Sequence, residues 1–507
     1  MKFKKITYLL TASTLLLSMS SCEKFLNVTP IDALSGNNFW KTKKDVEGYT
    51  NGIYLKLKNK FGGTMLIPSL DMRGNYVKVV ENLDSDGSGP VNSLISNNMT
   101  SVMNGSTTYH NRIKDNMNWK AWYDVIAASN ILYYETGRLD APGFSETDRK
   151  QYQAEAVFTR NLSYLFLCRM FGDVIYYTDA YNSKALPRED QVVVMKKCIA
   201  DMQAVKDDLP IRQSSSNMIG VRPTRASAVA LLMHLNMWAA AWDTQSKEGY
   251  YTAVLSLAEE MATYQDYSLL TISTENTKRI FKGRSAENLF GLLQDFNYGE
   301  TFSDYANYSF FFSHYPYRGK EDKTKSFLTY DKKYIDKLFP ESNADLRRST
   351  WFENMSTESS AFQFKKFINT YSKGSGTNIT MYSDDSAIIF RLPDALLLAA
   401  EAAAELNNEA TAHRYLNQVR QAAGAPNILS TGLALKNDIF AERCRELIGE
   451  GHYYFDLVRT KRVIDTEFAK TVMSVGDFNR GAWTWPLIIT AEERGANPNL
   501  TGNTFWN

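Results

Sequence analysis

"RLPDALLLAAEAAAELNNEATAHRYLNQVRQAAGAP" occupies residues 391–426 and reads as two helices. Leu392, Ala395, Leu396, Ala399, Ala402, Ala403 and Leu406 follow the i, i+3, i+4, i+7 rule, which gathers them on one apolar face. Asn407-Asn408 interrupt the pattern. Ala412, Leu416, Val419 and Ala423 then carry a second helix, which Gly424 and Pro426 stop. Small alanines at the contact face let antiparallel helices approach closely. Two helices of this length with a tight turn and a terminal proline make a tetratricopeptide-like hairpin.

The same spacing recurs upstream, in "NWKAWYDVIAASNILYYETGRL" (118–139), "QYQAEAVFTRNLSYLFLCRMFGD" (151–173) and "VVVMKKCIADMQAVKDDLP" (192–210). It continues in "RPTRASAVALLMHLNMWAAAW" (222–242) and "YYTAVLSLAEEMATY" (250–264). A hairpin cannot bury its apolar stripe alone, so neighbours must stack. The expected fold is mainly α, a helical-hairpin scaffold of about four pairs, formed mainly by residues 38–60, 113–264 and 390–460. Two stretches break this rhythm. Residues 61–112 are rich in Gly, Ser and Asn, and residues 265–389 alternate polar and aromatic residues, as in "NYGETFSDYANYSFFFSHYPYRG" (297–319). Segments with this density of Tyr and Phe bury enough apolar surface to order. Together with 461–507 they are expected to form a loop-rich, ligand-binding lobe laid on the scaffold.

The amino end sets the compartment. "KKITYLLTASTLLLSMSSCEKFLNVTP" (4–30) opens with lysines, runs apolar from Ile6 to Met19, and meets a lone Cys22. The run falls short of the roughly 20 apolar residues of a membrane span and reads as an export signal over residues 1–21. Ser20-Ser21-Cys22 resembles the lipobox of bacterial lipoproteins, with Met19 where Leu is more usual. That likeness implies acylation of Cys22 and an anchor in outer-membrane lipid; the alternative is a plain secretion signal with an incidental cysteine. Cleavage takes three lysines and no acid from 57 basic and 56 acidic residues, leaving 54 against 56. A chain so near neutral lacks the basic stripe of a nucleic-acid binder. Cys168, Cys198 and Cys444 are far apart and read as buried small hydrophobes.

Further resemblance enters on four segments. "CEKFLNVTP" (22–30) and "AEAVFTRNLSYLFLCRMFGDVIYY" (154–177) are similar to segments of the SusD/RagB family, the surface lipoproteins of Bacteroidetes. So is "AERCRELIGEGHYYFDLVRT" (441–460), with Glu442, Arg443, Glu446, Leu447, Glu450, Gly451, Asp456, Leu457 and Arg459 in place and His452 where Arg is more usual. "WPLIITAEERGANPNL" (485–500) is the fourth, while the closing "TGNTFWN" departs from the pattern. The resemblance implies a non-catalytic binder of an oligosaccharide or polysaccharide. Such a protein is surface-exposed on the cell outer membrane and partners a SusC-like TonB-dependent transporter. The RagB side of the likeness implies peptide capture as the alternative, and a surface glycan hydrolase is the rival from another class.

The residues themselves supply no catalytic or metal constellation. The five histidines, His110, His234, His314, His413 and His452, form no HExxH pair, and there is no G-x-S-x-G elbow or phosphate-cradling glycine loop. No cofactor and no metal are expected. "DSDGSG" (84–89) resembles part of a calcium loop but lacks the Glu at its twelfth position, so it reads as a turn. Glu442, Glu446 and Glu450, spaced i, i+4, i+8 beside Arg443, Arg445 and Arg459, read as an ion-pair network on one helix. Sugars present flat C–H faces ringed by hydroxyls, so a sugar site pairs aromatic rings with forked polar groups. With the site on the loop-rich lobe, as the resemblance implies, the candidates are Arg73, Asn75, Tyr76, Tyr305, Tyr308, Tyr315, Tyr317 and Trp351.

Overall fold

Capping residues set where the helices begin. The computed structural model describes residues 39–81, 87–299, 302, 304–355 and 361–506. The export signal, Cys22 and part of the 84–89 turn therefore lie outside the described residues. Helix α1 (Lys43–Gly62) opens on a Thr42/Asp45 capping box, α3 (Glu146–Phe171) on Ser145/Asp148 and α5 (Arg225–Trp242) on Thr224/Ser227. Helix α2 spans Lys120–Arg138, α4 Gln191–Val205 and α6 Lys247–Ala262. The stretch quoted first forms α7 (Leu392–Glu405), with a proline in its first turn, and α8 (Glu409–Ala422). Between them Asn407 takes the left-handed φ of 58° and the Asn408 side chain caps α8 by accepting from the Thr411 N–H.

Helix packing is serial. Helix α2 pairs with α3, α4 lies against α3 and α5, α5 pairs with α6, α6 meets α7, and α7 pairs with α8. Ala399, Ala402 and Ala403 are wholly buried at these contacts, as the small-residue face requires. Helix α3 is buried round most of its circumference from Ala154 onward, so it runs through the scaffold instead of over it. Helix α9 (Gly432–Glu446) lies on α7 and is followed by the short α10 (Tyr453–Arg459). Among the described residues no helix is long and apolar enough to cross a membrane.

The remaining chain differs from a loop in both irregular stretches. Residues 61–112 fold into the short helices Leu66–Met72, Ser88–Ile95, Met99–Asn104 and Thr108–Lys114. Their polar residues act as caps: Asn98 accepts from the Ser101 N–H and Thr107 from the His110 N–H. Residues 265–391 carry most of the strands. Strands β1 (Val77–Val79) and β4 (Leu328–Tyr330) pair antiparallel, as do β2 (Asn288–Leu292) with β9 (Ala387–Arg391) and β5 (Phe352–Glu353) with β6 (Gln363–Phe364). Strands β3 (Gly319–Lys320), β8 (Thr380–Ser383) and β7 (Thr370–Lys373) make a three-stranded sheet in the order β3-β8-β7. One contiguous apolar cluster joins Val46, Leu398 and Trp485 to Phe312 and Phe364, so the strand-bearing region shares the core of the scaffold.

Candidate functional site

Strands β7 and β8 form a hairpin around Gly374 and Gly376, both at positive φ. Their pairing sets Tyr371 directly opposite Tyr382. The two rings stack at 5.6 Å with 23° between planes, and Phe296 stacks on the other side of Tyr371 at 4.1 Å and 12°. Lys373 lies within 6 Å of both tyrosines, 5.8 Å from one centroid and 5.6 Å from the other. Tyr298, 79% exposed, stands two residues beyond Phe296 on a short turn closed by the left-handed Gly299. Tyr315 and Tyr317 precede β3, on the far side of the same sheet. The result is an open run of rings with a cation at its edge.

Buried polar side chains hold this sheet from behind. Asp385 accepts from Ser383 Oγ at 2.6 Å, from Asn369 Nδ2 at 2.6 Å and from the Asn369 N–H at 3.1 Å, tying the start of β7 to the end of β8. Burial pushes its carboxyl up to about 7, against the pull of these donors. Asp384 pairs with Lys282 and accepts from the Phe296 N–H at 3.3 Å. Gln294 Nε2 donates to Ser383 O at 2.8 Å. The rings are therefore organised before any ligand arrives, which lowers the ordering cost of binding.

The eight residues expected at a binding site scatter. Arg73 is fully buried: it donates to Asn97 Oδ1 at 2.8 Å and to Thr484 O at 3.1 Å, and lies 4.1 Å over the Tyr454 ring. Asn75 is buried and donates to Asp71 O. Tyr308 is buried against Tyr330, and Trp351 is buried with its Nε1–H donating to Thr277 Oγ1 and Lys366 4.3 Å over its ring. These four are interior residues, each held by hydrogen bonds inside the fold. Tyr76 stacks on Tyr334 at 4.5 Å in a separate groove of about 360 Å³ with Phe440, Phe468 and Lys470. Tyr305, half-buried, packs edge-on against Tyr109 with Arg112 4.2 Å over its ring. Only Tyr315 and Tyr317 adjoin the aromatic sheet. Phe296, Tyr298, Tyr371 and Tyr382 were not among the expected residues; the signal for the last two lay in the glycine-centred hairpin "TYSKGSGTNITMYS" (370–383).

Two other clusters close on themselves. His234, Asp394 and His452 bring ligand atoms within 4.8 Å of one another. His234 Nδ1, however, faces Arg169 Nη2 at 2.8 Å, which leaves the ring proton on Nε2, donated to Asp394 Oδ2 at 2.6 Å. Arg443 also reaches Asp394, at 2.8 Å. Burial brings His234 down to about 4, so the ring is neutral, and the two guanidinium groups occupy the positions a cation would need. The three glutamates expected on one helix behave likewise: Glu442 pairs with Arg347, Arg420 and Arg445, Glu446 with Arg347 and Arg391, and Glu450 with Lys366 and Arg391. They do not share one helix. Helix α9 ends at Glu446, because Gly449 and Gly451 take positive φ; a Cβ on Gly449 would stand 2.8 Å from Phe367 and 2.9 Å from Tyr308.

A solved SusD homologue from Bacteroides thetaiotaomicron superposes with a TM-score of 0.83 and is 37% identical, over 92% of this chain and 98% of that one. The chain belongs to the SusD family. Sequence models of this family match in two places, one described as the SusD family over residues 300–506 and one as "Starch-binding associating with outer membrane" over 71–236. SusD-like protein P38 of Formosa agariphila is 26% identical over 96% of both chains. A laminarin-binding SusD-like protein shares the fold at a TM-score of 0.70 and 19% identity, covering 92% of this chain and 99% of its own. In this SusD-family chain strands β3, β7 and β8 lie within the match over residues 300–506, and Phe296 and Tyr298 just before it.

Proposed function

We propose that this protein is a non-catalytic, lipid-anchored glycan binder of the outer membrane. It holds an oligosaccharide or polysaccharide on the aromatic sheet and passes it to a SusC-like TonB-dependent transporter. The observation that carries this reading is the Phe296–Tyr371–Tyr382 stack with the exposed Tyr298 beside it. Ring faces take up the C–H faces of pyranoses, and Lys373 offers donors to their hydroxyls. The non-catalytic part is supported by the saturation of the buried carboxylates, each engaged by a cation or by fixed donors. Family membership and the outer-membrane description of the matching model support the location.

The test is retention of the mature chain in native gels containing starch, laminarin, xylan or mannan, beside a Tyr371→Ala/Tyr382→Ala variant. Retention by one glycan, lost in the variant, is the expected result; equal retention of both forms would move the site elsewhere. Peptide capture is the second reading, favoured by one observation: β7 is an edge strand of its sheet among the described residues, and an edge strand accepts an extended peptide by pairing. Binding of unstructured peptides with no glycan retained would select it. Replacing Cys22 by Ala is expected to release the protein from the membrane fraction, and persistence there would refute the anchor.

A further inference from the structure

We infer that a cleft at the carboxyl end of α2 is a second saccharide site, separate from the aromatic sheet. The inference rests on the glycan reading above. The cleft has a volume of about 820 Å³ and is walled by Trp40, Tyr134, Glu135, Arg138, Asp140 and Tyr181. Tyr134 and Tyr181 are 45% and 57% exposed, their centroids 6.2 Å apart and their planes at 89°, so together they form an open corner of two rings. Tyr181 sits at φ 58°, a conformation that a bulky residue rarely adopts and that the surroundings must maintain. Its Oη–H donates to Glu135 Oε1 at 2.8 Å. Arg138 Nη1 donates to Tyr134 Oη at 2.9 Å, with the guanidinium 5.0 Å over that ring. Both rings are thus fixed in place while remaining open.

The polar rim selects the ligand. A carboxylate has about four acceptor sites and a guanidinium five N–H donors, so the single contacts of Glu135 and Arg138 leave most of their capacity unused. Asp140 adds a further exposed carboxylate. Vicinal hydroxyls donate and accept at once and match such a mixed rim. A polyanion would be repelled by Glu135 and Asp140, and a purely apolar ligand would strand all three charges. Rings at a right angle flanked by donors and acceptors fit a neutral saccharide.

Calorimetry of the mature chain with maltohexaose, laminarihexaose, xylohexaose and mannohexaose, each followed by its parent polysaccharide in native gels, tests this. For a hexasaccharide that binds, two sites per chain are expected, falling to one in Tyr134→Ala/Tyr181→Ala and to one in Tyr371→Ala/Tyr382→Ala. On the polysaccharide, losing one of two linked contacts should weaken retention about tenfold or more. Asp140→Ala, a change at an exposed side chain, should weaken the cleft site alone, with circular dichroism unchanged. One site in the wild type, removed by the Tyr371→Ala/Tyr382→Ala variant and untouched by the cleft variants, overturns the second site and leaves the glycan reading standing. Binding of none of the four overturns the neutral-saccharide reading at both places.

Discussion

At the ion cluster around α9 each buried charge has met its partner inside the protein, whereas at the aromatic sheet the rings are fixed in place and left partly open. Glu442 is fully buried among three arginines, and although burial pushes its carboxyl up, Arg347, Arg445 and Arg420 hold it well below the usual carboxylate range. Arg391 bridges Glu446 and Glu450 and joins β9 to the turn after α9. Such a cluster has little capacity left for a ligand, and its work is to clamp elements together. Phe296, Tyr371 and Tyr382 are also held by buried polar groups, chiefly Asp384 and Asp385, but the stack is left partly exposed at its ends, Phe296 and Tyr382. Both regions are rich in capable side chains; saturation separates structure from function.

The largest effect expected from breaking this contrast is at Glu442. Replacing it by Ala leaves Arg347, Arg420 and Arg445 without their shared carboxylate, and stripping one partner from a buried pair costs about 3–5 kcal/mol. Urea denaturation should show that loss, and a change near zero would mean that the cluster does not clamp the fold. Next comes Tyr371→Ala, which removes the middle ring of the stack. Glycan affinity should fall by about tenfold or more, as for a central aromatic anchor, while the unfolding free energy moves by about 1 kcal/mol or less, as for a part-exposed side chain.

A smaller effect concerns pH. Asp385 has its carboxyl raised to about 7, so between the ordinary Asp range and about 7 the native state holds a proton that the unfolded chain has released. Its contribution to stability therefore declines as pH rises through that window. The neutral buried His234, lowered to about 4, contributes in the opposite direction over part of the same range. The informative quantity is accordingly the difference in unfolding free energy between wild type and Asp385→Asn. That difference should shift in favour of the variant between pH 4.5 and 7, and a pH-independent difference would show that Asp385 ionises normally. The smallest effect is at Tyr298. Its ring is exposed, so Tyr298→Ala should weaken binding only about threefold and change stability by about 0.5 kcal/mol or less. A large stability change would place the ring in packing.

Much of the scaffold was legible along the chain. The hairpin of α7 and α8 appears within a few residues of where alanine spacing, the paired asparagines and Gly424 put it, since helix periodicity and caps are local properties. The small-residue contact face also follows from local pattern. The stretch 61–112 was misread as loop because its Asn and Thr residues serve as caps of short helices, and a cap and a turn use the same residue types. The candidate binding residues were far less legible. Arg73, Asn75, Tyr308 and Trp351 have the right chemistry in the sequence and lie in the interior, where they bond to Thr484 O, Asp71 O, Tyr330 and Thr277.

What the sequence determined by itself is the helical class, the order of the hairpins and the family, each written in spacing or in contiguous motifs. Tertiary structure alone decided which rings face solvent. Burial is a property of what approaches from elsewhere in the chain: Tyr371 gains its stacking partners only because β8 and the 296–298 turn arrive beside it, and Tyr308 loses its exposure because Tyr330 and Phe364 do. A tyrosine reads the same in either setting until its neighbours are known.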